Sequence, residues 1–308
     1  MAVLTLDRIS KSFGNFSAVR ELSFDIQPGQ IYGLLGPNGA GKTTTIRMIM
    51  DIIMPDEGQI RIFDQPNSMK ILSRVGYLPE ERGLYQKMKI HDVLKFFGEL
   101  KGMNKAKLSE EIPRWLETFE LTDWRNKKVE SLSRGMQQKL QFIATILHRP
   151  SLIILDEPFT GLDPINTALV KDVILELQAE GATIIFSTHL MEQVEKLCDS
   201  ICLINKGRRV LHGELRDIKR RYGRDRIQME YSGNSDFLKT TGLVDQLDDY
   251  GNYVEIRLAS DANPQDLLKA VSSEADIFRF EIVEPSLNEI FIEVVKKEGG
   301  EPVGGGHV

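Results

Sequence analysis

With only two cysteines in 308 residues, Cys198 and Cys202, the chain has no disulfide framework to fold around. Both thiols are expected to be buried and reduced, as in a cytoplasmic protein. Long apolar runs are also missing. The longest, "LIIL" at 152–155 and "TIIF" at 183–186, have strand length, well short of the ~18 residues of a membrane-spanning helix. The N-terminus "MAVLTLDRIS" alternates polar and apolar residues and lacks a signal peptide's charged start and apolar block. Positive charge is not in excess: 39 Lys and Arg against 45 Asp and Glu give a net charge of −6, so no nucleic-acid partner is expected. What remains is ordinary for a globular protein, 41% hydrophobic and 27% charged. The length suits one large domain and a smaller one.

Short β-rich runs come first: "VLTLDRIS", "LSFDIQ" and "IYGLL". A glycine-rich turn, the helical pattern "KTTTIRMIMDII" and the strands "QIRIFD" and "RVGYLP" follow. From about residue 90 to 148 apolar residues recur at helical spacing; between 152 and 211 strands and helices alternate, as in a parallel sheet with crossovers. The expected fold class is α/β: a P-loop core with an antiparallel β subdomain and a helical insertion, plus a small C-terminal α+β domain. The expected boundaries are 1–222 (helical subdomain about 84–150), 223–297 for the accessory domain and 298–308 for a disordered tail, "EGGEPVGGGHV". Within 223–297 the runs read strand–strand–helix–strand–helix, a ferredoxin-like pattern. The basic cluster Lys219, Arg220, Arg221, Arg224 and Arg226 reads as a solvated linker, with anionic lipid contact as the alternative.

"GPNGAGKTT", residues 36–44, follows an apolar strand and opens a helix, the context a P-loop requires. Gly36, Gly39 and Gly41 let the backbone wrap so that successive N–H groups, including those of Asn38, Ala40 and Thr44, face phosphate. Lys42 is placed to neutralise the β- and γ-phosphates, and the Thr43 hydroxyl to ligate Mg²⁺. In "LIILDEP" a buried strand delivers Asp156 and Glu157 at its C-terminal end, where α/β sheets place ligands. Asp156 suits the Mg²⁺ shell, and Glu157 suits a general base acting on water.

A second anion-binding candidate lies about ninety residues beyond the P-loop. In "SLSRGMQQKLQ", Ser133 is an N-cap, Arg134 adds positive charge at the helix start and Gly135 leaves its N–H open.

The order of these pieces resembles the ATP-binding cassette ATPases over about residues 2–220. "GLDP", with Asp163, resembles the D-loop, and "STH" places His189 at the switch histidine that senses the γ-phosphate. Phe13 in "KSFGNF" resembles the aromatic that stacks on adenine, with Phe16 as the alternative ring. "GYLPEE" resembles the Q-loop. Two motifs depart from the family: "LSRGM" stands where LSGGQ is usual, and Glu80 where the Q-loop has glutamine. A glutamate at position 80 can bind Mg²⁺, alongside Thr43 and Asp156, and it adds a negative charge near ATP.

The resemblance implies that ATP and Mg²⁺ are bound and ATP is hydrolysed. It also implies that the phosphate near Ser133 and Gly135 belongs to a second cassette subunit, identical or homologous. The C-terminal extension resembles ATPase subunits of bacterial exporters of the sodium-efflux and antibiotic-resistance type. Integral membrane permeases would then be separate chains, docked near residues 81–85 and the helical subdomain at the cytoplasmic face of the membrane. The alternatives are a soluble cassette ATPase and a nucleotide-gated regulatory subunit without transport.

Overall fold

A computed structural model describes residues 1–297 apart from 82, 224, 225, 234 and 260. The expected tail, 298–308, lies outside the described residues. Two units are distinguished, Met1–Glu214 and a second beginning at Leu215. The second unit begins at Leu215, where a helix starts, ahead of the expected 222/223 boundary and of the whole basic cluster.

In the first unit, β1 (Leu4–Phe13), β2 (Phe16–Ile26), β3 (Ile31–Leu35), α1 (Lys42–Ile49), β4 (Glu57–Ile62), β5 (Gln65–Pro66), α2 (Met69–Leu72) and β6 (Val75–Leu78) follow one another. Helices α3 (Ile90–Leu100), α4 (Lys105–Thr118) and α5 (Arg134–Ile146) form the insertion. The chain then runs through β7 (Leu152–Asp156), α6 (Pro164–Ala179), β8 (Thr183–Thr188), α7 (Met191–Leu197), β9 (Ser200–Asn205) and β10 (Arg208–Glu214).

Two sheets result. The four-stranded one, ordered β2-β1-β4-β5, is antiparallel; the six-stranded one is ordered β10-β9-β3-β8-β7-β6 and is parallel except at β10. Every residue of β3, β7 and β8 is buried. Their uninterrupted apolar runs are what a parallel strand covered on both faces demands. Both cysteines are buried free thiols, as expected from the sequence. Parallel β3, β7 and β8 end at one edge of the sheet, so the loops beginning at Gly36, Glu157 and His189 converge there.

Helix α5 begins where Ser133 accepts a hydrogen bond from the Met136 N–H at 3.3 Å. Its inward face carries polar residues as well as apolar ones: Gln138, Gln141 and Thr145 are buried beside Phe142 and Ile146. Gln138 Nε2 donates to the Pro158 carbonyl at 3.3 Å, and Gln141 Nε2 to those of Glu81 (3.3 Å) and Pro79 (3.5 Å). One helix is thereby tied to two loops at the sheet edge.

The second unit comprises α8 (Leu215–Arg221), β11 (Arg226–Ser232), α9 (Asp236–Thr240), β12 (Val244–Asp249), β13 (Val254–Leu258), α10 (Pro264–Ser272), β14 (Asp276–Val283) and α11 (Leu287–Lys297). Its sheet order, β12-β13-β11-β14 with antiparallel neighbours, and its β11-α9-β12-β13-α10-β14 succession are those of a ferredoxin-like fold. Ile227, Met229, Val254 and Ile256 pack with Leu267 and Val271 of α10. Lys219, Arg220 and Arg221 occupy the last turn of α8, where cations suit the helix dipole. Arg226 is not linker: it opens β11 and pairs with Glu289 of α11. Arg224 lies outside the described residues.

Candidate functional site

The loop from Gly36 to Lys42 is shaped by glycines that nothing else can replace. Gly36 (φ 148°) and Gly41 (φ 110°) are in backbone regions closed to other residues. A Cβ would come within 2.2 Å of the Ile204 carbonyl at Gly36, and within 2.5 Å of that of Ala18 at Gly41. Lys42 follows at the first position of α1 and is buried; its Nζ donates to the carbonyls of Gly36 (2.8 Å) and Pro37 (3.3 Å). Burial pushes its pKa down, against the nearby Glu157, Asp156 and Glu80 carboxylates. A cavity of about 330 Å³ opens here, lined by residues 38–44 together with Phe16, Ala18, Glu80 and Glu157.

Asp156 ends β7 and is buried. Its Oδ1 accepts a hydrogen bond from the Ser187 hydroxyl, while Oδ2 has no partner among the described residues. Burial raises its pKa; the Ser187 hydrogen bond and the neighbouring Thr43 hydroxyl oppose the rise. Glu157 turns the chain sharply away with φ 50°, a strained backbone for a non-glycine residue. That turn brings Oε1 to 2.9 Å from His189 Nδ1 and Oε2 to 3.2 Å from the Thr188 hydroxyl. Glu157 is largely enclosed, and His189 half exposed at the rim. The expected P-loop, Asp156, Glu157 and His189 therefore come together.

Other expected residues lie elsewhere. Phe13 does not line the cavity: it faces Phe16 across the β1–β2 turn, is 51% exposed, and has Lys11 Nζ 5.8 Å from its ring centre. Phe16, the alternative, is the ring that lines it. Ser133, Gly135 and Asp163 are also absent from its wall. Asp163 caps α6, accepting from the Asn166 N–H at 2.8 Å and Nδ2 at 2.6 Å, bonds that hold its carboxyl below the usual range. At Gly135 the protomer makes no demand for glycine. No left-handed φ occurs there, and an added Cβ would meet only the Gly161 carbonyl at 3.7 Å and Leu162 at 3.9 Å. Sequence reasoning missed the two tethering glutamines, although Gln138, Gln141 and Thr145 recur at i, i+3 and i+7 on one helix face.

A second cavity of about 380 Å³ lies under the loop after Glu80, walled by Met50, Tyr77, Leu84, Phe97, Leu100 and Ala144, with Lys101 and His148 among its lining residues. Exposed Ile52, Met54 and Tyr85 add apolar surface in the neighbouring segments.

Comparison with known proteins accords with this geometry. The ABC transporter family matches residues 19–160, and the family described as ATP-binding protein DrrA1-3-like, C-terminal domain, matches residues 213–295. The chain is 44% identical to an uncharacterised ABC transporter ATP-binding protein, YhaQ, of Bacillus subtilis (strain 168), over 95% of this chain and 98% of that protein. It is 31% identical to the linearmycin resistance ATP-binding protein LnrL of the same organism, again over 95% and 98%. A solved structure of the ATP-binding subunit of an ABC transporter superposes with a TM-score of 0.68 at 30% identity, covering 71% of this chain and 93% of that one. The chain thus belongs to the ABC transporter family, as an ATP-binding, ATP-hydrolysing subunit.

Proposed function

We propose that two cassettes, this chain with a copy of itself or with a homologue, close on two ATP molecules and so drive export through separate membrane permeases. Each site takes its P-loop, Thr43, Asp156, Glu157 and His189 from one subunit and its Ser133, Gly135 and Asp163 from the other. The observation that carries this is at Gly135: a residue without a side chain that its own protomer does not require, at a capped helix start outside the chain's own phosphate cavity. An approaching anion from another subunit supplies the missing reason.

The residues present fit Mg²⁺. A buried carboxylate oxygen of Asp156 without a partner and the neighbouring Thr43 hydroxyl are hard oxygen donors. Bound there, the ion would supply positive charge to the phosphate oxygens. Glu157, held by Thr188 and His189, accepts a proton from the attacking water as its oxygen bonds to the γ-phosphorus; the bond to the bridging oxygen breaks, giving ADP and phosphate. His189, linked to Glu157 at the rim, is placed to register whether the γ-phosphate is present.

Permease docking is supported by the apolar groove beside Gly83 and Leu84, and with it a peripheral position at the cytoplasmic face of the membrane. No helix among the described residues is long and apolar enough to span a membrane. Export accords with the names of relatives, linearmycin resistance and Nod factor export.

Mixing two crippled chains tests the arrangement. Lys42→Ala and Gly135→Asp homodimers each have a broken half in every site and should be inactive. A mixed dimer has one site with both defects and one with neither, so random exchange should restore roughly a quarter of wild-type activity for independent sites. No recovery and no ATP-dependent heterodimer, with both chains folded, would overturn the shared-site reading.

A further inference from the structure

Two charges at the site are unexplained within one protomer. Arg134 is exposed at the first position of α5 and so places a cation at the positive end of that helix, where its dipole repels it. Glu80 is exposed in the wall of the P-loop cavity, near enough to the Lys42 ammonium to act on its pKa, and adds negative charge where phosphates bind. Neither side chain has a hydrogen-bond or ion-pair partner among the described residues. Glu80 has only the Lys42 charge to offset it, which the phosphates also claim, and Arg134 has no counter-charge; the two are opposite in sign.

We infer that Arg134 of one subunit pairs with Glu80 of the other when the dimer closes, an inference that rests on the shared-site reading above. The composite site brings the start of α5 against the opposite P-loop cavity, whose wall includes Glu80. Pairing relieves both misplaced charges at once: the arginine leaves the helix dipole's repulsion partly offset, and the glutamate no longer opposes the triphosphate unbalanced. A flexible arginine reaches across such a contact better than lysine, because its planar fork matches a carboxylate. Arg134 and Glu80 are thus positioning residues of the closed state, forming a charge lock between subunits that exists only when both sites are occupied and the dimer is shut.

The lock makes a prediction no independent pair of residues would. In a Glu157→Gln background, expected to hold ATP with little turnover, one chain carries Glu80→Arg and another Arg134→Glu. Both positions are exposed, folding is checked by thermal melting, and, because Glu80 lines the P-loop cavity, ATP binding by each monomeric chain is measured separately. Homodimers of either chain place like charges together in both sites. The mixed dimer has one native pair and one reversed pair, both attractive.

With Mg²⁺ and ATP, differently labelled chains measured by sedimentation should give a heterodimer constant about tenfold or more above the geometric mean of the two homodimer constants, the size expected for one close charge pair. A single chain carrying both reversals should regain ATP-driven homodimerisation. A heterodimer constant at the statistical value, twice that mean, or a doubly reversed chain no better than its parents, would overturn the pair. The Glu157→Gln chain with native Glu80 and Arg134 separates the two levels. If it dimerises with ATP while the reversals show no preference, only the pair fails; if it does not dimerise, the shared-site reading fails and takes the pair with it.

Discussion

Replacing Gly135 with alanine should raise the stability of this protein and lower its activity, an unusual combination. The structural half follows from the local geometry. Gly135 is helical at the second position of α5, and an alanine Cβ would sit at ordinary contact distances of 3.7 and 3.9 Å. Alanine in a helix is favoured over glycine by about 0.5–1 kcal/mol, chiefly because the unfolded chain loses freedom. The first turn realises part of that. For a unit of this size the gain corresponds to a melting shift of about 1–3 °C upward. The functional half follows from shared-site closure. A methyl group on the approach side keeps the partner's phosphate off the open N–H, and a hydrogen bond to a charged group is worth about 1.5–3 kcal/mol, or roughly 10- to 150-fold in turnover. Differential scanning calorimetry and a steady-state ATPase assay on the same preparation would check both. A lower melting temperature would mean that protomer packing needs the glycine. Unchanged turnover and ATP-driven dimerisation would mean that nothing approaches it.

Two further outcomes are expected. Glu157→Gln should bind ATP with near wild-type affinity while hydrolysis falls by about 10²-fold or more, since the amide keeps the Thr188 contact but accepts no proton; near-normal phosphate release would remove Glu157 from the chemistry. His148, pushed down to about 4 by burial and by the Lys101 ammonium, should make the protein acid-sensitive. Its folded pKa lies below the unfolded value, so the stability it permits is complete above about pH 6.5 and is lost as pH falls toward 4. Between pH 7 and 5 the wild type should lose about 2 kcal/mol more than His148→Gln in urea unfolding, and equal losses would show that His148 ionises freely in the fold.

The parts legible in the sequence are those where one residue type meets one backbone demand. Gly36 and Gly41 admit no other side chain, so their spacing announces the loop, and the all-buried strands β3, β7 and β8 announce the parallel sheet. The C-terminal pattern pointed to a ferredoxin-like unit, but β12, "VDQLDD", is mostly exposed and polar and gives no apolar alternation to read. Helix α9, five residues long, is too short for helical periodicity. Phe13 and Phe16 were indistinguishable by spacing because they pair across a tight turn, and only the fold decides which ring faces the cavity. The hydrogen bonds of Gln138 and Gln141 join residues 20 and about 60 positions apart, separations that no local pattern encodes.

Those glutamines have a thermodynamic consequence. Helix α5 starts at Ser133 and Gly135, and its middle is bonded to the loop ahead of Leu84 and to the one just after Glu157. Suppose α5 moves as a unit. Whatever seats itself in the groove beside Gly83 and Leu84 then shifts the affinity of the Ser133 end of α5 for its phosphate, and linkage obliges the reverse shift to be equal. A permease segment that tightens ATP-driven closure tenfold must itself be held tenfold more tightly by the closed dimer, a gain of about 1.4 kcal/mol in each direction. On that reading the direction of work is set by which ligand arrives from outside, ATP or transported cargo, and by the irreversibility of hydrolysis, while α5 itself is indifferent to direction.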